Sequence, residues 1–303
     1  MVRKHARRAV KAAFALALAI PIVLGGTANA STSAGPTVTV GTKNFTEAYV
    51  LGQLYKQALE AKGFNVAYKE NIGSSELIDT ALTSGKINFY PEYTGVLALN
   101  IARVKKPLKS AAATYAAAKA FEEKRGFTML RQTPFFDADS FTVLTSTARK
   151  YGLKTISDLK KVPNLSYGGY PECDKRITCL LGLKQIYGLK NIKFVQLGTI
   201  PVTKLIDQGK VTGGDVFTTE PALANPKYTA LVDNKHIYGF QNVAPVVSKK
   251  LVGALGAKFT AAVNAVSAKL TNTAMIAMNK AVAVDKKTPA AVAEAFLQAN
   301  GLA

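Results

Sequence analysis

The chain has 303 residues, 48% of them hydrophobic and 19% charged, which excludes an intrinsically disordered protein and leaves room for one large or two ordinary cores. Its 39 basic and 19 acidic residues give a formal charge of +20, yet the lysines are scattered in pairs such as Lys160-Lys161 and Lys249-Lys250. No dense basic tract interleaved with aromatics exists, so a solvated basic surface is expected and a nucleic-acid partner is not.

Residues 1–30 read as a secretory signal peptide. Arg3, Lys4, Arg7, Arg8 and Lys11 form the basic start, Ala12–Gly26 the apolar centre, and Ala28-Asn29-Ala30 a small-x-small cleavage site. The apolar run of about 15 residues is shorter than the ~20 a spanning helix needs. No cysteine follows it, so no lipoprotein anchor is expected. The mature chain keeps 34 basic and 19 acidic residues, a formal +15.

Strand and helix patterns then alternate. Val38–Val40 is predicted as a strand and Thr46–Ala61 as a helix whose apolar face is Val50, Leu51, Leu54, Tyr55, Ala58 and Leu59. Asn65–Tyr68 is the next strand. Ser74 or Ser75 caps a helix with Leu77, Ile78, Ala81 and Leu82 inward, and Ile87–Tyr90 is the third strand. This β-α-β-α-β run implies parallel strands covered by helices. Ser110–Arg125 is an alanine-rich helix, and Phe127–Leu130 and Phe141–Leu144 are strands. A second series follows: a short helix capped by Ser157, strand Leu165–Tyr167, helix Ile177–Tyr187, strand Ile192–Leu197, helix Val202–Gln208 and strand Val211–Phe217. Leu255–Ala281 and Pro289–Ala299 are helical. Two α/β units of about 100 residues each imply two lobes with a cleft between them.

Cys173 and Cys179 are the only cysteines. In an exported chain they are expected to pair, with two free thiols or a redox pair as the alternatives. A zinc site needs more ligands, so no metal or other cofactor is expected. His236 is the only histidine past the leader, which leaves no Ser-His-Asp or Cys-His site, and an enzyme is not expected. Asp137 and Asp139 are a possible acid–base pair with no second catalytic group beside them.

The segments GTKNFTE, GKINFYPEYTG, YPECDKRITCLLGLKQIYGL, GDVFTTEPALA, LVDNKHIYGFQNVAPVV and VAEAFLQANGL run in that order through Val38–Leu302. Together they resemble the substrate-binding proteins of osmoprotectant (glycine betaine, choline, carnitine) ABC importers. The resemblance implies a two-lobed, type II periplasmic-binding-protein-like α/β fold. Lobe 1 would be 36–139 plus 239–303, lobe 2 would be 140–238, and two crossover segments would form a hinge. It also implies an exported monomer, periplasmic or envelope-associated, that captures a betaine-like or quaternary-amine solute and delivers it to a membrane permease. The alternatives are the same fold holding another polar or aromatic solute, and an envelope-attached sensor or adhesion protein.

The resemblance places a carboxylate-contacting lysine at Lys43, a cage tyrosine at Tyr93, a carboxylate-binding arginine at Arg176 and a cage aromatic at Phe217. Thr218 is a candidate hydrogen-bond donor. Relatives commonly have tyrosines where Ser140 and Gln241 stand here, and a threonine where Val96 stands. Only two of four cage aromatics are therefore expected. Ser140 and Gln241 would make the cleft more polar, and Asp139 would add a partner for a cation.

Overall fold

The computed structural model describes residues 35–105, 108–198 and 200–303; the expected leader, 1–30, lies outside them. Strand β1 (Val38–Lys43) buries Val38 and Val40 and pairs in parallel with β2 (Val66–Gly73) and β3 (Phe89–Tyr93). Helix α1 (Thr46–Ala61) lays the predicted face, Val50 to Leu59, on this sheet. In α2 (Ser75–Thr83), Ile78, Ala81 and Leu82 turn inward at the i, i+3, i+4 spacing of one face. Leu77 does not join them as expected: it is 57% exposed, one position round the helix, and lies over Gly73, whose missing side chain leaves it room.

After β3 the chain forms a short helix, α3 (Thr94–Val96), which widens into a π-turn over Leu97–Ile101. Helix α4 (Ala111–Lys124), capped by Ser110, leads to β4 (Phe127–Met129). The chain then crosses to a second sheet and enters it at β5 (Phe141–Leu144), followed by α5 (Thr145–Tyr151). A 3-10 turn, Ile156–Lys161, is capped by Thr155 and Asp158 in a capping box rather than by Ser157. The parallel unit β6 (Ser166–Gly169), α6 (Leu180–Gln185), β7 (Lys193–Gln196), α7 (Val202–Asp207) and β8 (Gly213–Asp215) follows, then β9 (Tyr228–Ala230). The order in this sheet is β7-β6-β8-β5-β9. The expected helix at Ile177–Tyr187 begins only at Leu180 because Cys173–Cys179 is taken up by a 3-10 turn and the disulfide.

The chain then returns to the first sheet, whose order is β2-β1-β3-β10-β4, through β10 (Val243–Ser248). In each sheet the strand that arrives from the other lobe, β5 or β10, runs antiparallel to its neighbours. The two crossovers lie side by side: Phe136 bridges Asn242, and Asp137 N–H donates to Gln241 O at 3.1 Å. Pro245 sits opposite Pro91. Its carbonyl faces β4, accepting from Leu130 N–H at 2.9 Å, so the prolines meet at a position where β3 and β10 exchange no hydrogen bond.

The C-terminal helices are α8 (Lys249–Lys269), broken at Gly256, α9 (Asn272–Ala283) and α10 (Pro289–Ala299). The expected continuous helix to Ala281 is divided at Leu270, and Thr271 caps the second part. Helix α8 is long enough to cross a membrane, but Phe259, Val263 and Val266 bury it against α1 and β3. Each sheet has an apolar core on both faces: Val40, Leu54 and Phe259 against Ile78, Tyr90 and Val246 in the first, Phe141, Tyr167 and Leu183 against Val202, Ile206 and Val216 in the second. Three layers in each lobe leave the carboxyl ends of the parallel strands as the natural place for a site.

Candidate functional site

A cavity of about 50 Å³, measured as room for water centres, lies between the two sheets. At roughly 10–15 Å³ per water it suits a small solute. Every wall comes from a strand end or a helix start: Lys43 and Phe45 between β1 and α1, Ser75 at the start of α2, Tyr93 at the end of β3, Tyr170 and Arg176 after β6, and Asp215 and Phe217 at the end of β8. Asp137, Asp139 and Gln241 come from the crossovers.

Four aromatic rings line it. Phe45 lies 6.1 Å from Tyr93 and 5.5 Å from Phe217, and Tyr170 stacks on Phe217 at 5.9 Å. The two-ring cage expected from the sequence is therefore a four-ring wall. Phe45 and Tyr170, which the sequence reading missed, stand where relatives' tyrosines do not. The signal that identifies them is position: each follows a strand end by one or two residues, facing the cleft.

The cationic side chains are already paired. Lys43 Nζ lies 2.6 Å from Glu92 Oε1 and 3.2 Å from Ser75 Oγ, and 4.0 Å from the Tyr93 ring centre. Burial pulls its ammonium below the ordinary lysine range, although Glu92 opposes this. Arg176 Nε and Nη2 donate to both oxygens of Glu76, at 3.1 and 2.9 Å, so this bidentate fork bridges the two lobes. Burial raises the Glu76 carboxyl, but the Arg176 hydrogen bonds outweigh it and bring the group down to about 2.

Tyr93 donates its hydroxyl to Glu47 Oε1 at 2.7 Å. Glu47 Oε2 accepts from Thr219 Oγ1 at 2.6 Å and Asn279 Nδ2 at 2.8 Å, a second polar link between lobes. The carboxyls on the crossover wall have no such cation. Asp137 accepts from Thr219 N–H and Thr218 Oγ1, and Asp139 interacts directly with Asp215. Burial raises all three, Asp139 to about 6.

Of the residues singled out from the sequence, Lys43, Tyr93, Asp139, Arg176, Phe217 and Gln241 line this cavity, and Ser140 and Thr218 do not. Those two face a separate cavity behind the crossovers. The reason is strand alternation: Asp137 and Asp139 point to one side and Ala138 and Ser140 to the other, as Asp215 and Phe217 do relative to Thr218. Ser140 Oγ instead holds Val216 O at 2.5 Å. Gln241 is spent on the hinge, accepting from Val96 N–H at 3.0 Å and donating to Tyr238 O at 2.7 Å. Cys173 and Cys179 form the expected disulfide, with Cα atoms 5.2 Å apart, at the edge of the cavity.

Residues 36–299 match the family described as the substrate-binding domain of the ABC-type glycine betaine transport system. The chain belongs to this family. Its proteins are extracytoplasmic substrate-binding components of ABC importers, which bind small solutes and deliver them to a permease. A glycine-betaine-binding protein of Pseudomonas aeruginosa is 27% identical, covering 88% of each chain. An ergothioneine transport permease/ergothioneine binding protein of Helicobacter pylori is 26% identical over 87% of this chain and 47% of its own length. A solved structure titled as a glycine betaine/carnitine/choline ABC transporter superposes with a TM-score of 0.70 at 23% identity, over 88% of this chain and 99% of that one, which shows the fold.

Proposed function

We propose that this protein captures a small quaternary-amine, betaine-like solute in the four-ring cavity and presents the closed form to its permease. The carrying observation is the wall of Phe45, Tyr93, Tyr170 and Phe217, with rings from both lobes converging beside buried carboxyls. A trimethylammonium group donates no ordinary hydrogen bond and is held by ring faces, at ~0.5–2 kcal/mol each. Because Phe45 and Tyr93 come from one lobe and Tyr170 and Phe217 from the other, ligand contacts favour closure. Lys43, Asp139 and Arg176 border the ligand, and Gln241, Ser140 and Thr218 support the crossovers around it. The lobes are 36–139 plus 239–303 and 140–238, in line with the strands each sheet draws from. The protein is exported by a leader removed after Ala30 and works as a monomer, by binding and release without chemistry.

The test is a thermal-shift panel on residues 31–303 with glycine betaine, choline, carnitine, proline betaine, ergothioneine, amino acids and polyols. A ligand at ~100 times its dissociation constant adds roughly 2.7 kcal/mol of stability. A shift with trimethylammonium compounds alone supports the proposal. A shift confined to amino acids or polyols overturns it and keeps only the transport fold.

A further inference from the structure

Resting on that reading of the cavity, we propose that the preferred solute is an organic cation without a carboxylate, and that Asp139 and Asp215 are its counter-ions. A zwitterion's carboxylate needs a free cationic side chain. The two cations that line the cavity are committed, Lys43 to Glu92 and Arg176 to both oxygens of Glu76, with Glu172 a further 4.0 Å from the guanidinium. A carboxylate entering there would have to displace a protein carboxylate from a bidentate pair.

The crossover wall has the opposite imbalance. Asp137, Asp139 and Asp215 line the cavity, and none has an ion pair with a basic side chain among the described residues. Asp137 is satisfied by Thr218 and Thr219. Asp215 is not: it is 4% exposed, and its Oδ1 has no hydrogen-bond partner. Behind it, the buried Tyr238 hydroxyl is also unpartnered. A buried acceptor left open beside four rings is the complement of an ammonium group, whose charge restores what burial takes from the carboxylates. The groups facing Asp139 are Asp215, Arg176, Lys43 and Glu172, and burial and Asp215 keep the pair from ionising fully in the absence of a cation. Cation binding therefore expels a proton from the pair.

Isothermal titration of the wild-type protein with choline, glycine betaine and 3,3-dimethylbutan-1-ol tests this, the last being choline's shape without its charge. Choline is expected to bind most tightly, the neutral alcohol at least about 100-fold more weakly, and choline binding to release protons when buffers of different ionisation enthalpy are compared. In Asp215→Asn and Asp139→Asn, choline affinity is expected to fall roughly 30-fold or more while glycine betaine changes less. Glycine betaine binding as tightly as choline, or the alcohol matching choline, overturns the inference and leaves the proposed function standing. Absence of binding by both amines overturns both. The wild-type comparisons decide the matter even where an Asn variant fails to fold.

Discussion

Tyr93 has two jobs that one atom separates. Its ring faces Phe45 and Lys43 at the cavity, while its hydroxyl donates to Glu47, the buried carboxylate that also holds Thr219 of the second lobe. Tyr93→Phe keeps the ring and leaves Glu47 Oε1 without this donor in a site where Glu47 is 3% exposed. Losing a hydrogen bond to a buried charged acceptor costs about 1.5–3 kcal/mol. For a chain of this size, ~2 kcal/mol corresponds to roughly 4–8 °C in Tm. Differential scanning calorimetry and titration with the best solute of the panel would read both quantities. Tyr93→Phe is expected to lower Tm by that amount and leave affinity within about threefold, whereas Tyr93→Ala loses both stability and, with a ring face gone, roughly tenfold in affinity. A Tyr93→Phe variant that melts with wild type refutes the role of the Glu47 bond. One that loses as much affinity as Tyr93→Ala refutes the role of the ring face.

Glu76→Gln removes the partner that occupies Arg176, so affinity for a carboxylate-bearing amine such as glycine betaine is expected to rise in titration, and an unchanged value means the fork does not reach the ligand. Asp139 holds its proton longer folded than unfolded, about 6 against 3.8. Its contribution to ligand-free stability is therefore greatest below the unfolded value and is lost as pH rises through about 6, while affinity for a cation rises over the same window; melts and titrations of wild type against Asp139→Asn between pH 4 and 8 separate the two slopes. Replacing Cys173 and Cys179 by alanine is expected to cost about 2 kcal/mol in urea unfolding, from the short loop the bond closes, and wild type should show no reactive thiol until reduced. In Gly95→Ala the new methyl would sit 2.6 Å from Phe240 O and 2.7 Å from the Gln241 amide, so the second crossover must shift, at about 1–3 kcal/mol by denaturation and with a measurable loss of affinity.

The local rules of the chain were legible. Apolar spacing set the buried face of α1, the cap-rich serines and glycines bounded α2, and the residues after Gly41 and Tyr90 marked strand ends that carry a site. The loop Cys173–Cys179 and its arginine could be read as one unit because both cysteines and Arg176 lie within seven residues.

Other features depend on what a segment meets. Val243–Ser248 is a central strand although Pro245 argues against one, because Pro91 stands opposite and no bond between the two strands is lost. Which side Ser140 and Thr218 face is fixed by pairing register, and a shift of one residue exchanges the cavity wall for the rear of the hinge. Phe45 and Tyr170 are ordinary aromatics until two lobes, separated by more than a hundred residues of chain, bring them to the same ring, Phe217. Likewise, Arg176 and Lys43 were free charges in the sequence, and only the fold supplies Glu76 and Glu92. Sequence by itself determined elements, lobes and a cleft, because those follow from local periodicity and chain order. Tertiary structure decided which charges are already paired and which remain open to a ligand, because pairing is set by distances between residues far apart in the chain.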